Sequence, residues 1–151
     1  MNHAEGSEPD ADVRARLAAI PGVGQLEDRG DALWIAAPEL DVEAMARAMT
    51  ALGCRLATMT GLARDDGETT IIYHYLRRGL AVNFKTATRG GAIASLAPAV
   101  RPASWIEREI HDFFGVKFVG HPNLAPLLLP PGLKEGFFRS PEPDPAPSGE
   151  P

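Results

Sequence analysis

Ser104-Trp105-Ile106-Glu107-Arg108-Glu109-Ile110-His111-Asp112-Phe113-Phe114-Gly115 is the stretch on which the reading of the whole chain turns. Ile106, Ile110 and Phe113 recur at i, i+4 and i+7, which predicts one apolar stripe of a helix, widened by Trp105 and Phe114. Ser104 and Glu107 have capping-box spacing, so the helix is expected to start at Ser104, and Gly115 offers the left-handed residue that ends it. The other face carries Glu107, Arg108, Glu109, His111 and Asp112. Arg108 with Asp112, and Glu107 with a protonated His111, are spaced to pair, at about 0.2–0.5 kcal/mol each if exposed. Such a crowd of ionisable groups beside a core stripe is either a solvated face or a face buried against another protein, where every charge needs a partner in place.

Working outward toward the N-terminus, Leu80–Ala87 alternates with period two, Leu80, Val82 and Phe84 inward and Ala81, Asn83 and Lys85 outward. Thr69–Leu76 and Arg55–Arg64 precede it, joined through Arg77-Arg78-Gly79 and Asp65-Asp66-Gly67-Glu68, and predict three strands with hairpin connections. His74, between Tyr73 and Tyr75, reads as a hydrogen-bonded sheet residue and not as a ligand. Earlier, Asp41 caps a predicted helix with Val42, Met45, Met49 and Leu52 on one stripe and Gly53 at its end; the methionines read as core filler. Gln25–Arg29 and Ala32–Ala37 predict two short strands around Gly30-Asp31, and Val13, Leu17 and Ile20 mark a short amphipathic helix from about Glu8 to Pro21-Gly22. The expected fold is α+β: a small, mostly antiparallel sheet with helices packed on one face, then the helix from Ser104 and an irregular C-terminal extension.

Residues 92–103, with Pro98 and Pro102, read as an extended or irregular crossing to that helix. Beyond it, Leu124, Leu127, Leu128 and Leu129 run into Pro130-Pro131, too proline-rich for a regular helix, and need a surface of their own chain or of a partner. The expected domain division is a polar disordered start at 1–7, one α+β domain at 8–138 and a disordered Pro-rich tail at 139–151.

Length and composition bound the function. A chain of 151 residues supports one domain with a real core. A net charge of −5 and a pI near 5.3, with no basic stripe, argue against a nucleic-acid partner. Cys54 alone forms no internal disulfide, and without clustered Cys or Cys/His spacings there is no sequence basis for iron–sulfur or structural zinc in this chain. No apolar run approaches the ~18–20 residues of a membrane span, and the start lacks a signal-peptide apolar region, so a cytoplasmic chain is expected, reaching a membrane only through partners.

The run Trp105-Ile-Glu-Arg-Glu-Ile-His-Asp-Phe-Phe-Gly115, followed by Phe118-x-Gly-His-Pro-Asn-Leu124, resembles the signature of the thirty-kilodalton (30 kDa) or C subunit of respiratory NADH:quinone oxidoreductase (complex I), and that of the related subunit of membrane-bound [NiFe] hydrogenases. The resemblance extends in organisation from about Leu26 to Leu129 and is specific over Trp105–Leu124. It implies a subunit without a redox centre, packed against the large subunit that helps form the quinone site, or carries the nickel centre, and near small iron–sulfur subunits. Iron–sulfur, flavin or nickel would then belong to partners. It also implies that Glu107, Arg108, Glu109, Asp112, His121 and Pro122 order the helix and its following loop at that contact. Two departures mark this chain: Ala125-Pro126 stands where the family commonly has basic residues, and its usual basic ending is reduced to Gly136-Phe137-Phe138-Arg139-Ser140-Pro141.

Other classes compete with docking. A stand-alone metal enzyme would take Glu107 and His111, four apart on one helix, with His121 as a third ligand, but the helix has no second histidine and the neighbouring charges offer a simpler salt-bridged fate. Ser95 and Ser104 lack a nucleophile elbow, and Cys54 reads as buried filler. A ligand-binding regulatory module has only the isolated Gly22-x-Gly24 and Gly90-Gly91 in its favour. The docking subunit of a complex I-like NADH:quinone oxidoreductase is therefore the expected function, with the membrane-bound hydrogenase subunit as its rival.

Overall fold

The computed structural model describes residues 11–139, in the order α1 (Ala11–Ala18), β1 (Leu26–Asp28), β2 (Ala32–Ala36), α2 (Val42–Ala51), β3 (Arg55–Ala63), β4 (Thr69–Arg77), β5 (Leu80–Ala87), β6 (Ala92–Ala94), α3 (Ala103–Phe114) and β7 (Lys117–Val119). The expectations for 1–7 and for 140–151 lie outside the described residues, as do the first residues of the helix expected from Glu8.

Five strands form one sheet in the order β1-β2-β5-β4-β3, antiparallel except for β2 beside β5. Hairpins set most of this order. Arg78 (φ 45°) and Gly79 (φ 84°) both take left-handed backbone, the requirement of a two-residue reversal whose twist matches the strands, and it joins β4 to β5. Asp41 caps α2 by accepting from the Ala44 N–H at 2.8 Å, and α2 carries the chain from β2 to the far edge at β3. The parallel β2–β5 pair follows from that detour, because β5 returns from the far edge to lie beside β2.

Alternation puts Leu33 and Ile35 of β2, Ile71, Tyr73 and Tyr75 of β4, and Val82 and Phe84 of β5 into one core. Val13 and Leu17 of α1, Val42, Met45 and Met49 of α2, and Ala103 and Ile110 of α3 join the same cluster, so the fold is α+β with helices on one face of a mostly antiparallel sheet. Burial of each large apolar side chain contributes about 1.5–3 kcal/mol. Both methionines are fully buried, in keeping with core filling. α3 lies against β3 at Gly61, where a Cβ would sit 2.9 Å from the Phe114 ring and 3.2 Å from Ile110. The absence of a side chain there is what lets helix and strand approach.

Several local expectations are corrected. α3 begins at Ala103 with Pro102 in the cap position and no side-chain cap, so Ser104 and Glu107 form no capping box. Turn bonds from Ala103 N–H to the Val100 carbonyl and from Ser104 N–H to the Arg101 carbonyl wind the chain into the helix, and proline's fixed φ (−58° here) suits that entry. Trp105 does not widen the buried stripe; it is 66% exposed. Asn83 does lie on the outer face, as expected, but it is buried there, its side-chain oxygen bonded to His74. The crossing at 92–103 is not wholly irregular: Ala92–Ala94 pairs in parallel with Lys117–Val119. Cys54 is half-buried, and burial pushes its thiol pKa up, away from reactivity.

Candidate interaction site around the third helix

α3 turns two of its acids inward. The Glu107 side chain is wholly buried, and its carboxylate accepts from the Ser95 hydroxyl (2.6 Å) and the Leu96 N–H (2.6 Å). Ser95 in turn accepts from the Ala97 N–H at 3.1 Å, so the turn after β6 closes around the helix. Burial pushes the Glu107 pKa up, an effect that outweighs the lowering by Ser95, Leu96 and His121. The same interior holds Tyr73, whose phenol is pushed upward by burial and then by the Glu107 charge.

His121 comes to this spot from the loop after β7. Its side chain is buried; Nδ1 accepts from the Asn123 N–H (2.9 Å), which in the neutral ring leaves the proton on Nε2, 3.1 Å from the Ser104 carbonyl and 3.9 Å from the Glu107 carboxylate. Glu107 and His121 therefore meet, while His111 donates through Nδ1 to the Val116 carbonyl at 2.8 Å. The Glu107/His111/His121 trio does not converge on a common point, and among the described residues no group of three such side chains could hold a metal ion. The expected Glu107–His111 pair is replaced by these separate bonds.

Arg108 and Asp112 do not pair with each other either. Asp112 is buried, and one carboxylate oxygen accepts from the N–H groups of Leu127 (2.9 Å) and Leu128 (2.7 Å). Arg108 donates to the carbonyls of Ala125 (2.9 Å) and Pro126 (3.0 Å) and lies over the Trp105 ring, 5.9 Å from its centre. Acid and base, one turn apart, clip the same stretch of chain by its donors and its acceptors. The leucine segment thus lies along α3 of its own chain. Farther on, Gly136 and Phe138 donate backbone N–H groups to the carbonyls of Asp112 and Phe113, and Phe138 stacks near Phe113 (4.9 Å between ring centres). Of the tail expected from 139, Arg139 is described, and it donates to the Gly67 carbonyl at 3.0 Å.

These bonds leave an apolar ridge outward: Trp105, Leu128, Leu133, Phe137 and Phe138 are between 46% and 66% exposed, with Glu109 and Pro122 exposed as well. A cluster of large exposed apolar groups on one element and the segment bound to it is a feature of contact surfaces. Sequence reasoning missed Ser95, Leu96 and Ser104 as partners of the signature residues; the Ser95-x-Ala97 turn was the one local signal, since the acceptor it serves lies in a later helix.

The family model described as "Respiratory-chain NADH dehydrogenase, 30 Kd subunit" matches residues 35–142. The chain belongs to this family. Within it, a C/D subunit of NADH-quinone oxidoreductase from Nitrosospira multiformis is 40% identical over 102 residues, which are 61% of this chain and 16% of that protein. A C subunit of NADH-quinone oxidoreductase from Chlorobium phaeobacteroides is 43% identical over 58 residues, 38% of this chain and 34% of that one. The matched part is thus well under half the length of these curated relatives. Two solved structures share the fold at 24% identity: a chain of the membrane-bound sulfane sulfur reductase, an archaeal respiratory membrane complex (TM-score 0.63, covering 73% of this chain and 69% of that chain), and a trypsin-resistant fragment of Nqo5 (TM-score 0.57, covering 74% and 93%).

Proposed function

We propose that this 30 kDa-family chain is a cofactor-free docking subunit of a complex I-like NADH:quinone oxidoreductase, and that it grips the large, quinone-site subunit through the outer side of α3 and the segment clipped to it. The observation that carries this is the use to which the signature residues are put. Glu107, Asp112, Arg108 and His121 use their polar groups to fix the turn at 95–97 and the stretch 121–128 to one helix. What they produce is a rigid ridge with Trp105, Glu109, Pro122 and Leu128 on its outside. Side chains ordered in advance lose less entropy on association.

The relatives with the double name C/D support the same partner: the part like this chain is a small share of a longer polypeptide named for two subunits. Among the described residues no helix is long and apolar enough to cross a membrane, so membrane association would come through partners. The equivalent subunit of a membrane-bound hydrogenase is the second reading, favoured by the fold shared with a respiratory complex of a different name.

Affinity purification of the tagged chain from its host, with identification of co-purifying subunits and their metals, tests the proposal. Recovery with flavin- and NADH-binding subunits supports the first reading, and recovery with a nickel subunit the second. Recovery of a lone polypeptide rejects both.

A further inference from the structure

Arg108 is half-buried and held in place by its own chain: Nε donates to the Ala125 carbonyl (2.9 Å), Nη2 donates to the Pro126 carbonyl (3.0 Å), and the guanidinium carbon lies 5.9 Å from the centre of the exposed Trp105 ring. These two bonds leave both N–H groups of Nη1 and one of Nη2 without an acceptor among the described residues. Nη1 and Nη2 are the end of the fork that clasps a carboxylate through two parallel bonds. The fork is therefore fixed at its root and open at its tip.

Its surroundings bring no counter-charge. Glu107 and Asp112 are turned inward and accept from groups of their own chain, and the clipped stretch 122–133 contains no ionisable side chain. Arg108 makes no ion pair among the described residues. While the chain is free, water serves the open donors. The docking reading changes this, because a partner that covers Trp105 also covers the guanidinium stacked on it, and a charge taken out of water without an opposite charge is strongly disfavoured. Glu109, exposed and next in sequence, and the net charge of −5 both oppose a phosphate-rich or anionic membrane surface at this place. A single carboxylate set in an apolar contact meets all of these conditions.

We propose that Arg108, braced on Trp105, receives the carboxylate of an aspartate or glutamate of the partner subunit, and that this pair sits at the centre of the contact. The proposal rests on the docking reading and adds to it the chemistry of the opposing surface; tryptophan and arginine together are the usual make-up of the energetic centre of an interface. The test compares two variants of the tagged chain. R108K and R108Q both give up the planar fork that clips Ala125 and Pro126, so the melting of the free chain is expected to fall by a similar amount in each, while R108K alone keeps the charge. R108K is expected to recover roughly tenfold more of the complex from the host than R108Q. Its amine also allows zero-length coupling: a carbodiimide, which joins an amine to a carboxylate in contact with it, is expected to link residue 108 to an acidic residue of the partner, read by mass spectrometry of the joined peptides. Equal recovery of the two variants, or an R108K complex in which residue 108 couples to no partner carboxylate, overturns the proposal and leaves the docking reading standing. If the unaltered chain recovers no complex, both fall. Binding of the free chain to phosphatidylglycerol vesicles that R108Q abolishes assigns the charge to a lipid phosphate and overturns the proposal as well.

Discussion

Replacing Glu107 separates two effects of a buried acid. In Glu107→Ala the Leu96 N–H loses its acceptor in the interior, a cost of about 1–3 kcal/mol, and the one lost methylene removes about 0.8 kcal/mol of burial. Together this is about 2–4 kcal/mol, or ~4–16 °C in Tm at the ~2–4 °C per kcal/mol of a domain this long. Glu107→Gln keeps the shape and a carbonyl for Leu96. Because burial raises the carboxyl pKa in the folded chain, folding favours the protonated form; the resulting stability is full below the unfolded pKa and is lost as pH rises through the folded pKa. The amide mimics that neutral form at every pH. Thermal unfolding followed by circular dichroism between pH 4 and 8 is therefore expected to show Glu107→Gln close to the parent at the acidic end and gaining on it as pH rises, with Glu107→Ala far below both. A glutamine variant that instead loses ground with rising pH refutes the reasoning, since it means that the bonds from Ser95 and Leu96 outweigh desolvation.

The other predictions concern the clip and the close packing. Asp112→Ala orphans the N–H groups of Leu127 and Leu128, at ~1–3 kcal/mol each if they stay buried, so their amides exchange faster and protease cleavage near 127 rises while the sheet amides are unchanged. Arg108→Ala removes the bonds to Ala125 and Pro126 and the cation over Trp105, and it is expected to reduce recovery of the complex more than it lowers the Tm of the free chain; Lys85→Ala, an exposed change on β5, is the control and leaves recovery unaltered. Gly61→Val places carbon 2.9 Å from the Phe114 ring and destabilises by about 1–3 kcal/mol through overpacking, read as a drop in Tm.

The hairpins, the α2 cap and the inward alternation of β5 were legible because short-range chemistry sets them: a glycine where the backbone must be left-handed, an aspartate three residues before the amide it accepts from, a period of two. The parallel pairings of β2 with β5 and β6 with β7 were not, since their partners meet only after the chain has crossed the sheet or the third helix. The helix from Ala103 was visible in the sequence, but its polarity was not. Ionisable side chains at 107 and 112 look solvated on a wheel, yet each is drawn inward by backbone N–H groups eleven and fifteen to sixteen residues away in sequence, while Trp105 is left outside. Spacing alone carries no record of such acceptor and donor pairs. The family resemblance singled out Glu107, Arg108, Asp112 and His121, and the geometry shows these four side chains holding this chain to itself.

Hydroxyl-radical footprinting of Trp105 in the free chain and in the complex purified from its host tests the central claim most directly. At 66% exposure the free indole is expected to oxidise readily, and its rate is expected to fall severalfold on assembly as the outer side of α3 is covered. Equal oxidation of Trp105 in the free and assembled states contradicts the account, because the ridge on α3 would then face water and the partner would lie elsewhere.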